Sequence, residues 1–495
     1  MSTPAASSAA PSGAKALTAL ILSVLSYSLV QTMLVPTLSV LQADLHTNAV
    51  GASWAVLSST LLASAVLTPV LSRLGDSHGR RRVLMITLAV HLAGNIGAGL
   101  AWNVGSLIAF RAVQGVSLAL LPLSLGLIRE VLPPHRRAFG LGLTSGLVAG
   151  AAGAGLLLGG LIVDHVSWRW LFVAGAGLTS LALGAVARHV PGGGATVRAP
   201  LDLPGAGLLG LTLVCVLLAL TEGPSWGWLS LRVLALFAGA VVCGGLFLGW
   251  ERRSAHPLID PALLLGRPIA AAHMGAFLLG ATQFVFYVLV PKLAELPAGP
   301  PAQAARPVAH GFGASVTVAG LILVPGTLLG LAASSATGWV ERGLGRRAPL
   351  ALGLAVSAVG GASMAVFHAR EWQAVAAYAV IGTGFGWAMA ALPRLIHDVA
   401  PPDAIATANG INTVARTVGG AVGSQLAAAL LASRTPPGTA LPADPGFTYA
   451  FWTATAIAAT GALYSSLAAR SSADEAKSAG EVRSETYANT EAGKA

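Results

Sequence analysis

The sequence predicts an all-α polytopic membrane protein of fourteen transmembrane helices: two six-helix pseudo-repeat bundles with an inserted helix pair between them. Three observations carry that prediction. The 495 residues are 55% hydrophobic and 10% charged, with mean hydropathy +0.73, whereas an ordinary soluble domain is roughly 25% charged. The apolar residues fall into fourteen runs, each long enough to cross the hydrocarbon as a helix that pairs its own backbone polar groups. Two short motifs then recur at nearly one offset, which makes the second bundle a repeat of the first.

Bounded by charge, Pro or Gly, the runs give helices at 16–39, 53–72, 83–103, 106–130, 138–163, 168–188, 204–221, 230–250, 269–291, 314–337, 348–368, 373–397, 404–433 and 447–468. Residues 1–15 are expected to form a disordered tail, 16–190 the first bundle, 191–268 a linker with the inserted pair, 269–468 the second bundle and 469–495 a second disordered tail. The run after Lys15 is longer than a signal-peptide core, so the first helix is expected to be retained. The 60 glycines suit helices that must approach closely where no hydrophobic effect draws them together. Cys215 and Cys243 lie inside apolar runs and read as small core hydrophobes.

An even number of crossings puts both termini on one side, and the basic residues choose the side. With the termini inside, Arg73, Arg80, Arg81, Arg82, Arg129, Arg136, Arg137, Arg188, Arg198, Arg252, Arg253, Arg267, Arg342, Arg346, Arg347 and Arg394 all fall in or beside cytoplasmic loops. Only Arg169, Arg232, Lys292, Arg306, Arg370 and Arg434 fall outside. Cytoplasmic loops carry the excess of Lys and Arg, so a cell-membrane protein with both termini in the cytoplasm is expected. The same clustering in short loops excludes nucleic acid as the partner of the net charge of +10.

Gly79-Arg80-Arg81 recurs as Gly345-Arg346-Arg347, 266 positions on, after the second and tenth runs. Ile128-Arg129-Glu130-Val131-Leu132-Pro133-Pro134 recurs as Ile396-His397-Asp398-Val399-Ala400-Pro401-Pro402, 268 positions on, after the fourth and twelfth. Parallel six-helix repeats are the mark of transporters that rock two halves about a central site.

On these residues the chain resembles the major facilitator superfamily over residues 16–468, and within it the fourteen-helix drug:proton antiporter branch. Leu74, Asp76, Gly79, Arg80 and Arg81 match the superfamily's signature between helices 2 and 3, with Ser72 where the family usually has Gly. Leu107, Arg111, Gln114 and Gly115 match its helix-4 signature. Gly155, Gly159 and Gly160 match the antiporter signature closing helix 5, where Leu156 replaces the usual Pro. Ser167-Trp168-Arg169-Trp170 and Glu222-Gly223-Pro224, with Trp226-Gly227-Trp228, also look like this branch. The branch commonly has an Asp in helix 1 ahead of Pro36, and here Tyr27 takes that place.

The charged stretch at 72–82 reads as a tight turn made by Gly75 and Gly79, with arginines that hold the loop against anionic headgroups. The resemblance implies more: Asp76 pairs with an arginine or a helix N-terminus only when the cytoplasmic side is closed. Arg342 stands where Asp76 stands in the repeat, so such a latch is expected in the N-terminal half alone. Arg111 and Gln114 share a helix face with Gly115 beside them, and Ala379 replaces Arg111 in the repeat. A cation inside a span needs a polar cavity or a partner. A coupling role for Arg111 is expected, with anchoring to backbone carbonyls as the alternative.

His91 and Asn95, four apart, would face the same space, and Arg416 in helix 13 is a second embedded cation. Helix 5 carries Gly146, Gly150, Gly153, Gly155, Gly159 and Gly160 at the spacing of a close helix seam. No Asp or Glu falls at mid-membrane, which leaves Asp164 and Glu222 as candidate proton carriers on the outer side. Tyr27, Gln31, Thr32, Trp54, Gln283, Phe284, Phe286 and Tyr287 supply aromatic and amide groups for an amphipathic substrate, or simply pack between helices.

The chain therefore reads as a secondary transporter that exports amphipathic small molecules, multidrug fashion, by alternating access against entering protons. It reads as no enzyme. Without a GxxxxGK[ST] loop or a metal-spaced His/Cys/Asp cluster, no cofactor is expected beyond the proton gradient. The expected partners are a small-molecule substrate, protons and the lipid bilayer, and the expected state is a monomer. The rival readings are a carrier for one metabolite or natural product, and a transport-inactive membrane sensor or partner-binding protein.

Overall fold

The computed structural model describes residues 10–34, 37–47, 51–52, 54–192, 200–298, 311–436 and 441–467. Among the described residues, fourteen long helices follow one another in chain order. The first six are α1 Ala10–Met33, α2 Trp54–His78, α3 Arg80–Gly99, α4 Val104–Val131, α5 Pro134–His165 and α6 Arg169–His189. The inserted pair is α7 Leu203–Trp226 and α8 Leu231–Glu251. The last six are α9 Arg267–Glu295, α10 Val316–Leu344, α11 Ala348–Val366, α12 Glu371–Val399, α13 Ile405–Ser433 and α14, residues 444–467. Thirteen of the fourteen are long and apolar enough to span a bilayer; α14 is outside that count.

Local chemistry sets the helix ends. Asn103 caps α4 by accepting from the Ser106 amide at 2.7 Å, and Asp202 caps α7 by accepting from Gly205 at 2.9 Å. Prolines open α5, α7, α9 and α11 in the first turn, where the missing N–H costs nothing. Several limits differ from the sequence reading. The first helix stops at Met33, a short helix Leu38–Asp44 follows, and residues 10–15, expected as a tail, are helical. Pro36 and the tails 1–9 and 468–495 lie outside the described residues.

The largest correction is at 72–82. α2 runs on to His78, so Gly75 and Asp76 are helical and Gly79 alone makes the turn, with φ +99°. That angle suits a residue without a Cβ. Arg80 to Arg82 then form the first turn of α3 rather than a loop.

α1 to α6 pack as one bundle and α9 to α14 as another, each around its own apolar core. The bundles meet along two seams, α5 against α10 and α2 against α13. α7 and α8 pack on each other, and α7 rests on α2. In the α5 seam, Gly146, Gly153 and Gly160 face Ser334, Thr327 and Thr317 of α10, while Gly155 and Gly159 face Thr32 and Met33 of α1. Of the three signature glycines only Gly160 therefore touches the other half. α5 has no proline inside it, and Leu156, where the signature has Pro, is buried among the core of the second bundle.

Candidate functional site

Between the bundles lies a cavity of about 190 Å³, lined from both halves. α1 supplies Tyr27, Gln31 and Thr32, α9 supplies Gln283, Phe284 and Tyr287, and α13 supplies Arg416. These are residues the sequence singled out on three separate runs, and only the meeting of the two bundles puts them around one space. The Gln283 amide donates to the Tyr287 hydroxyl at 2.7 Å, and the Phe284 and Tyr287 rings pack with centroids 5.7 Å apart. Ser28, Leu61, Leu118, Val148, Val288, Thr417, Ala421 and Ser424 complete the wall. Sequence reasoning passed over them because ordinary apolar and hydroxyl residues carry no signal until a cavity exists. Among the described residues, no carboxylate lines this cavity.

Two residues proposed for this lining lie elsewhere. The Trp54 indole donates to Glu222 at 2.9 Å, which fastens α2 to the inserted pair. Phe286 is enclosed between Phe385 and Phe451 in the second bundle's core. A helix has only one face toward the cavity, and Phe286 is on the wrong one.

At the end of the molecule that carries the 72–82 stretch, Asp76 joins the two halves. Its side chain is 0% exposed. Oδ1 accepts from Arg80 Nε at 2.8 Å and from the Ala406 amide at 3.2 Å. Oδ2 accepts from the Thr407 amide and hydroxyl, both at 2.7 Å. Ala406 and Thr407 are the first turn of α13, where unpaired amides and the helix dipole favour an anion. Arg80 also meets Glu130 at 2.6 Å and donates to the Pro402 carbonyl at 2.7 Å, so it bridges the halves too. Thr407 carries no motif. Its one visible trait in sequence is its place at the start of a helical run.

The repeat reproduces part of this arrangement. Arg346 pairs with Asp398 at 2.6 Å, as Arg80 pairs with Glu130. The second half also has a crossing strut of its own, contrary to the expectation of a latch in the first half alone. Arg394 pairs with Glu341 at 2.8 Å and donates to the Ala138 carbonyl of α5 at 2.6 Å.

The helix-4 group is a correction to the expected cavity set. Arg111, Gln114, Gly115 and His91 do not line the central cavity; they lie inside the first bundle. Arg111, 1% exposed, donates to the Val56 carbonyl at 2.6 Å, the Ala55 carbonyl at 3.3 Å and Gln114 Oε1. Ala55 and Val56 belong to a π-helical turn, Trp54–Ser58, that opens α2. Gln114 passes the chain on to Asn95 at 3.2 Å, and Asn95 to Thr179 at 3.4 Å. Gly115 lets α4 approach the backbone of α2, since a Cβ there would lie 2.9 Å from the Ser64 amide. The geometry is that of an anchor to backbone carbonyls.

At the opposite end, Asp164 is exposed and accepts from the Thr317 hydroxyl at 2.9 Å across the α5 seam. Glu222, 7% exposed, accepts from Trp54 and from Ser225 at 2.7 Å. Neither reaches the cavity.

Known proteins share this sequence and shape. The profile of the Major Facilitator Superfamily matches residues 20–296 and again 272–487. The chain is 28% identical over 406 residues to the tetracenomycin C resistance and export protein of Streptomyces glaucescens, covering 80% of this chain and 71% of that one. It is 27% identical over 373 residues to multidrug resistance protein 3 of Bacillus subtilis, covering 74% and 70%. Among solved structures, the human organic anion transporter MFSD10 superposes with a TM-score of 0.63 at 13% identity, covering 92% of this chain and 99% of that one. The proton:xylose symporter XylE superposes with a TM-score of 0.59 at 14% identity, over 92% and 95%. At those identities the structures establish the fold.

Proposed function

The chain belongs to the major facilitator superfamily, a transporter and not an enzyme, and from that premise we propose that it exports amphipathic small molecules by alternating access. The observation that carries the proposal is the central cavity, walled by α1 on one side and by α9 and α13 on the other. A site shared by two bundles changes its access when the bundles rock, and the wall contacts of a bound molecule change with it. The Asp76 and Arg394 contacts cross between the bundles at one end only, so opening that end must break them. Names of the relatives support outward transport of drugs or natural products. The arginine bias supports the cell membrane, with the basic end and both termini cytoplasmic.

The driving force in this proposal is proton entry, and the protein works as a monomer. The chain has no phosphate-cradling loop for ATP. With no carboxylate on the cavity wall, proton exchange falls to groups beyond it, and Asp164 and Glu222 toward the outer face are the first to substitute. The test is efflux in inverted vesicles. Accumulation of a fluorescent amphiphile that stops when the proton gradient is collapsed is the expected result, and accumulation indifferent to the gradient removes antiport. A second reading, a dedicated exporter of one natural product, is favoured by the tetracenomycin relative. Susceptibility of cells with and without the protein to a compound panel separates the two.

A further inference from the structure

Arg111, Arg394 and Arg416 lie within the long helices and are held in different ways. Arg111 is spent on two backbone carbonyls and Gln114. Arg394 is spent on Glu341 and the Ala138 carbonyl. Arg416, near the midpoint of α13, ends at the central cavity and makes one long hydrogen bond, to Gln283 Oε1 at 3.4 Å. An embedded guanidinium has five N–H donors and a charge that cannot be discharged, so its surroundings must supply acceptors or an anion. The cavity wall supplies no carboxylate. Phenol, amide and hydroxyl groups, the Phe284 ring and apolar side chains surround the charge.

We propose that the cavity selects amphipathic anions: an aromatic or apolar body carrying one carboxylate, sulfonate or phenolate, for which Arg416 is the counter-ion. This inference rests on the export reading and names its substrate class. Two physical points support it. A like-charged ligand would place two cations together in a low-dielectric cavity, while an anion satisfies donors that are otherwise left to water. The tilted pair of Phe284 and Tyr287 offers ring faces to a flat aromatic body, and the Gln31 and Gln283 amides offer donors beside the charge. In the arrangement described, the space of about 190 Å³ is below the roughly 300 Å³ of a typical drug site, so it admits a small ring system, and a larger anion requires the bundles to part.

The test uses fluorescein and rhodamine 123, which share a xanthene scaffold and differ in charge. Uptake into inverted vesicles holding the full-length protein is measured, together with binding of each dye to the purified protein by fluorescence polarisation. Fluorescein is expected to be taken up and bound about tenfold or more in preference to rhodamine 123. Arg416→Gln should erase the preference and Arg416→Lys, which keeps the charge, should retain most of it. Equal or better handling of rhodamine 123 by the unmodified protein overturns the anion inference and leaves export standing. So does an unchanged preference in a folded Arg416→Gln protein. If Arg416→Gln does not fold, the unmodified protein and Arg416→Lys decide the matter. If neither dye is moved or bound, the export reading falls, and this inference falls with it.

Discussion

Replacing Asp76 by Asn should open the seam between α2 and α13, and the size of the effect follows from the bonds at that carboxylate. Arg80, the Ala406 amide, and the Thr407 amide and hydroxyl all donate to its two oxygens. The Arg80 bond lies within one half, so of these bonds the three from α13 are the ones that opening breaks. Asn retains one acceptor oxygen, loses the charge that complements the helix terminus, and turns an NH2 group toward donors. A charge-assisted hydrogen bond is worth about 1.5–3 kcal/mol. Because water replaces the lost acceptor when the seam opens, a net shift of about 1–3 kcal/mol is expected, or roughly 5–150-fold in the closed-to-open equilibrium.

Ser72 reports that equilibrium. It is 0% exposed and packs against Gly410 across the seam. In a background with Cys215 and Cys243 changed to Ala, Ser72→Cys should react with N-ethylmaleimide only during opening. Adding Asp76→Asn should raise the rate by the factor above, and Thr407→Val, which removes one of the three donors, should raise it less. An unchanged rate with Asp76→Asn, in protein that still reaches the membrane, would refute the latch.

Three further outcomes are expected. Arg394→Ala, which removes the second strut at Ala138 and strands Glu341, should speed the same labelling, and the double variant with Asp76→Asn should open more than either. Gly146→Val should place a methyl on the Ser334 side chain and block sliding of α5 on α10, costing about 1–3 kcal/mol; transport is expected to fall while the purified protein remains monodisperse. Arg111→Ala leaves Gln114 and two backbone carbonyls inside the first bundle short of a donor. At about 1–3 kcal/mol for each buried group left unpaired, a large drop in thermal stability is expected, measured by the melting temperature in detergent. A fall in transport without any loss of stability would instead restore a coupling role for this arginine.

Much of this protein is written along the chain. Apolar runs separated by arginines determine that helices form, how many there are, and where each lies to within about two turns, because lipid leaves the backbone no other way to pair its polar groups. The offset between Gly79-Arg80-Arg81 and Gly345-Arg346-Arg347 marks the two bundles before any contact is known. Embedded polar residues advertise themselves by their cost, which is why Tyr27, Gln31, Gln283, Tyr287, Arg111 and Arg416 all stand out.

What sequence could not decide is which of these residues share a space. Arg111 and Arg416 look alike as letters in an apolar run, yet one is spent on the Ala55 and Val56 carbonyls and the other faces a cavity without a counter-charge. Across the seam Asp76 meets the Thr407 hydroxyl and two backbone amides more than 300 positions away, and every residue but proline carries an amide, so no letter marks those two. Helix propensity and hydropathy act over a turn or a span and are legible locally. The assignment of one arginine to structure and another to the cavity depends on which helix faces meet, and the packing of the two bundles alone decides that.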